Sequence, residues 1–102
     1  MFIAMNRFQI VKGREADFEA VWQNRQTRLD EVPGFIDFAL LRGPETDEAT
    51  LYASHTRWEN REAFEAWTRS EHFRQAHAEA GQHRDLYRGP PQFEGFEVVP
   101  GA

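Results

Sequence analysis

The chain has 102 residues, 40% apolar and 14% aromatic, enough bulk for one compact domain over residues 1–102 and too much for a disordered chain. A net charge of -5 argues against a nucleic-acid-binding face, and the absence of cysteine excludes disulfides, thiolate nucleophiles and cysteine-ligated metal. No stretch reads as a signal peptide or reaches membrane-crossing length, so a soluble cytoplasmic protein that binds neither membrane nor nucleic acid is expected.

Residues 2–11, FIAMNRFQIV, alternate as a first strand, with Phe2, Ala4, Asn6, Phe8 and Ile10 on one face and Ile3, Met5, Arg7 and Gln9 on the other. Lys12-Gly13 closes it. From Arg14 to about Asp30, Phe18, Val21, Trp22 and Leu29 recur at helical spacing, and Glu15, Asp17 and Glu19 suit the positive end of a helix dipole. Pro33-Gly34 marks a turn. GFIDFALLRG and ATLYASHTRW then read as two strands separated by a polar loop around residues 44–48.

Asn60 is suited to cap a helix starting near Arg61, with Phe64 and Trp67 at i and i+3. Ser70 is suited to cap a second helical segment, SEHFRQAHAEA, whose stripe is Phe73, Ala76, His77 and Ala80 and whose stop is Gly81. A polar loop over residues 82–91 leads into a last strand, QFEGFEVVP. The order β-α-β-β-α-β predicts an α+β fold of the ferredoxin-like, split β-α-β kind: a four-stranded antiparallel sheet with helices on one face. The other face, carrying Ile3 and Met5, has no cover within the chain. Two such sheets packed face to face would close a dimeric α+β barrel, so a homodimer is expected.

Three residues stand out for chemistry. His77 lies in the apolar stripe of an alanine-rich helix, and its spacing suits both a core histidine bonded to backbone and a ligand to haem iron. Asn6 puts a carboxamide into an apolar layer, where an unmet hydrogen bond costs roughly 1 to 3 kcal/mol. It is either a satisfied structural group or a donor aimed at a ligand. Trp67 reads as core filler or as a ligand wall. His55, His72 and His83 have no companion at zinc-like spacing, and no phosphate loop or nucleophile elbow occurs.

Taken together, MNRF, the VPGF turn and AFEAWTRSEHFRQAH resemble the haem-degrading monooxygenases of the IsdG type, within the wider antibiotic-biosynthesis-monooxygenase-like family, and most of all the rhizobial HmuQ/HmuD type. The resemblance spans nearly the whole chain. Its most specific part is an Asn in strand one combined with a Trp and a His separated by nine residues. It implies that His77 is the axial ligand of the haem iron, that Trp67 presses on and ruffles the macrocycle, and that Asn6 donates a hydrogen bond near the distal oxygen site. It also implies haem as both substrate and cofactor, with O2, an external electron donor, a partner reductase, and iron and biliverdin as products. Arg25 matches a position at which a related member carries arginine. Arg84 and Arg88 are candidates by type for the haem propionates. The expected place for the haem, one per subunit, is between the His77 helix and the Asn6 face of the sheet, away from the dimer barrel.

Overall fold

The structure is a computed structural model that describes residues 1–25, 28–76 and 80–102. In chain order it contains β1 (Phe2–Val11), α1 (Glu15–Asn24), a 3-10 turn (Leu29–Glu31), β2 (Phe35–Glu45), β3 (Ala49–Trp58), α2 (Arg61–Thr68), α3 (Glu71–Ala76), a 3-10 segment (Ala80–Leu86) and β4 (Gln92–Glu97). The strands form one antiparallel sheet in the order β2-β3-β1-β4. The split β-α-β expectation is borne out. Among the described residues no helix is long and apolar enough to cross a membrane.

Strand register decides what each face carries. Phe2 pairs with Trp58, Ala4 with Thr56, Asn6 with Ser54, Phe8 with Tyr52 and Ile10 with Thr50, and directly paired residues share a face. This is the face the helices cover. Its core divides in two. Under α2, Phe2, Ala4, Leu29, Val32 and Trp58 pack with Phe35, Phe64 and Trp67. Under α1, Phe8, Ile10, Phe18, Tyr52 and Leu86 pack with Trp22 and Tyr87. The opposite face carries Ile3, Met5 and Leu41, the last 42% exposed, and the Arg7–Glu94 and Arg57–Asp37 ion pairs.

Local signals account for most boundaries. The Asn60 side chain accepts from the Ala63 N–H at 2.8 Å, and Ser70 Oγ accepts from the Phe73 N–H at 3.2 Å, so both predicted caps form. Gly34 has φ +83°, and a Cβ there would meet the Ala63 Cβ at 2.4 Å; the turn before β2 therefore needs glycine for its backbone and for the approach of α2.

Three expectations are corrected. The first helix ends at Asn24 instead of near Asp30, because Leu29 turns to pack with Trp58 in one cluster while Phe18 is buried in the other. The helical segment expected over residues 70–80, stopping at Gly81, is described as α3 only to Ala76, a 3-10 segment continues through Gly81, and residues 82–91 are not simply a polar loop. The 3-10 segment runs on to Leu86, which is 2% exposed in the core, and Tyr87 bridges to Ile10 on β1. The last strand stops at Glu97, leaving Val98 and Val99 exposed beyond it.

Candidate functional site

Between the two core clusters lies a cavity of about 570 Å³. Its floor is the middle of the sheet: Ala4, Asn6 and Phe8 from β1, with Ser54 and Thr56 from β3. Here the apolar layer is interrupted by a polar strip, since the register sets Asn6 directly beside Ser54. The Thr56 hydroxyl is already engaged, donating to the Ala4 carbonyl at 3.3 Å and accepting from the Trp58 indole at 2.9 Å. No hydrogen bond links the Asn6 carboxamide to any other described residue. A half-buried amide left in this way is a group with hydrogen-bonding capacity to spend on a ligand.

The walls are aromatic. Trp67 and Phe64 of α2 form one side. Trp67 is held by ring contacts to Trp58 at 5.4 Å, Phe64 at 6.0 Å and Phe73 at 4.9 Å, so its plane is fixed from three directions. Trp22 of α1 and Phe38 of β2 form the other side, stacked at 5.5 Å with an interplanar angle of 14°. The guanidinium of Arg25 sits over the Trp22 ring, 4.3 Å from its centroid. Arg84, Tyr87 and Pro90, which follow α3, complete the lining. Burial raises the Tyr87 phenol above its ordinary range while the Arg25 charge opposes that shift, so Tyr87 stays neutral at physiological pH.

Of the four residues singled out for the site, Asn6, Trp67 and Arg25 are brought to this one cavity from β1, α2 and the end of α1. His77 lies outside the described residues. Of the two loop arginines, Arg84 lines the cavity and Arg88 does not. The Arg88 guanidinium pairs with Glu48 at 3.3 Å. Sequence reasoning missed Ser54, Thr56, Phe38 and Tyr87. Polar residues at alternate positions of ATLYASHTRW were the available signal for the first two.

What the arrangement offers chemically is a cavity with a largely apolar lining, a hydrogen-bonding amide in its floor and two arginines in its wall. This is a ferredoxin-like α+β chain with a cavity between helices and sheet. The chain belongs to the antibiotic biosynthesis monooxygenase family, whose model matches residues 1–79. The family resemblance carried by MNRF, VPGF and AFEAWTRSEHFRQAH is thereby borne out. It is similar to a "heme oxygenase (mycobilin-producing)" of Mycobacterium tuberculosis, 31% identical over 65 residues; the match covers 64% of this chain and only 60% of that protein's length. A "heme-degrading monooxygenase" of Bacillus cereus is 32% identical over 84 residues, covering 79% of this chain and 75% of that one. Among solved structures, the heme-degrader MhuD of M. tuberculosis, with two hemes bound in its active site, matches at a TM-score of 0.74 and 29% identity, over 97% of this chain and 96% of that chain.

Proposed function

We propose that this protein is a haem-degrading monooxygenase that takes haem as its substrate in the cavity over Asn6. The observation that carries the reading is the convergence of Asn6, Trp67 and Arg25 on one aromatic-walled slot, together with relatives named for haem degradation. The slot fits such a ligand by size and by chemistry: its volume of about 570 Å³ falls within the ordinary range of small-molecule sites, and its walls are ring faces. Bound haem would supply both the redox-active iron and the ring that is opened, with O2 and an external electron donor such as a reductase.

The chain's own residues supply geometry and polarity. Trp67, held by Trp58, Phe64 and Phe73, would offer a rigid face to a bound macrocycle. Asn6 donates a hydrogen bond from the floor. His77 would hold the iron through its imidazole, a common haem ligand. Arg25 meets the ligand from the end of α1. The open sheet face with Ile3, Met5 and Leu41 is the surface through which two copies form a homodimer, and the protein works in the cytoplasm.

The test is to add haemin to the purified protein, record the Soret band, then add ascorbate under air. Stoichiometric binding followed by Soret loss, iron release and a bilin absorption, biliverdin by this reading, is expected. Haem that stays intact under reductant would leave a non-catalytic haem-binding protein. No binding at all would leave a cofactor-independent monooxygenase acting on a small aromatic molecule.

A further inference from the structure

The chain carries a net charge of -5, yet the described lining of its cavity contains two arginines and no aspartate or glutamate. A cation-bearing, acid-free slot in an acidic protein attracts an anion. Arg25 comes from the end of α1, where it stacks over Trp22. Arg84 comes from the segment after α3, one turn before Tyr87, whose backbone N–H donates to the Arg84 carbonyl at 3.2 Å.

That segment is pinned with unusual thoroughness for what the sequence presents as a polar loop. Leu86 is buried in the core, Tyr87 bridges to Ile10, and the Arg88 N–H donates to the Gln9 carbonyl at 2.8 Å. Its charged side chains do much of the fastening: Asp85 pairs with Arg14 at 3.1 Å and Arg88 with Glu48 at 3.3 Å. Arg84 alone of the three makes no ion pair among the described residues, and it is the one that lines the cavity. A guanidinium held at a cavity by a fixed backbone, with no ion pair to a described residue, is preorganised for a planar two-oxygen acceptor.

We propose that Arg84 is the specificity-determining residue that selects ligands by their carboxylates, so that the cavity takes flat apolar rings bearing free acid side chains and discriminates against their esters. The proposal rests on the haem reading above and narrows it to the propionate end of the ligand. It separates Arg84 from Arg88, which are equivalent by residue type.

The test compares Kd values for haemin and haemin dimethyl ester, and for iron-free protoporphyrin IX and its dimethyl ester, in the wild type, Arg84→Ala and Arg84→Lys. The wild type should prefer each acid over its ester by roughly tenfold, the scale of one charge-assisted hydrogen-bonded pair at a partly exposed site. Arg84→Ala should lose that preference by weakening acid binding and leaving ester binding unchanged, and Arg84→Lys should retain part of it. Equal wild-type affinity for acid and ester overturns the proposal, as does an Arg84→Ala variant that loses both alike, which is the mark of a merely structural residue. If the acids are selected through Arg84 but haem is never opened under reductant, the degradation reading falls and Arg84 stands. If no porphyrin binds, both fall.

Discussion

Asn6 sets the cost of the site. Its carboxamide sits half-buried between Ala4 and Phe8 without a hydrogen bond to any described residue, so removing it forfeits no bond among the described residues. Asn6→Ala is therefore expected to leave stability within about 0.5 kcal/mol of the wild type, against about 2 to 5 kcal/mol for truncating the fully buried Ile10 to alanine. Haem turnover, measured as the rate of Soret loss under reductant, should fall at least about tenfold in Asn6→Ala, as for loss of a positioned donor. A lowered melting temperature with an unchanged rate would make Asn6 a structural residue instead. Asn6 was conspicuous in the sequence as a carboxamide in an apolar alternation, but the pattern left both it and Trp67 open between structural and ligand roles, and only the family resemblance pointed them to a site. Ser54 and Thr56 were not, because their place beside Asn6 and Ala4 depends on the β1–β3 register, which no local pattern fixes.

Among the elements, both caps of the second helical region and the strand Ala49–Trp58 were readable because they rest on local chemistry: a capping side chain, an alternation, a turn glycine. The end of α1 was not. Leu29 continues the helical spacing of Phe18 and Trp22, but the pull of the Trp58 cluster takes it elsewhere. Burial of Leu86 was hidden for the same reason, since one leucine among charged neighbours carries no periodicity. The α1–β3 packing has a titratable signature. Burial, aided by the hydrogen bond to Glu19, pushes the Tyr52 phenol up to about 12 from 10.0. A phenol whose folded pKa is raised gives its full stabilisation below its ordinary value and loses it as pH climbs through the folded one. Melting temperature should thus fall between about pH 10 and pH 12, and Tyr52→Phe should flatten that fall, Tyr87 supplying a smaller part of the same sign. Superimposable alkaline profiles would show that Tyr52 does not contribute.

For the whole molecule, the defining feature is a layer that is not filled. Two aromatic clusters anchor α1 and α2 on the sheet, and the gap left between them is the cavity. The opposite face carries the apolar Ile3, Met5 and Leu41 interspersed with the Arg7–Glu94 and Arg57–Asp37 pairs, and on the proposed homodimer it is the face that meets a second copy. Sedimentation should give a dimer for the wild type. Leu41→Glu, which adds a charge to that face, should give a monomer by sedimentation that is still folded by circular dichroism. A wild type that sediments as a monomer would contradict the dimer reading.

On the proposed function, haem occupies the cavity over Asn6, on the helix side of the sheet. A crystal structure of the one-to-one haemin complex tests it most directly. The porphyrin ring is expected between Trp67 and the Asn6 floor, with His77 bound to the iron and the propionates directed toward Arg84. A ring seated on the Ile3 and Met5 face, or an iron with no bond to His77, would contradict it.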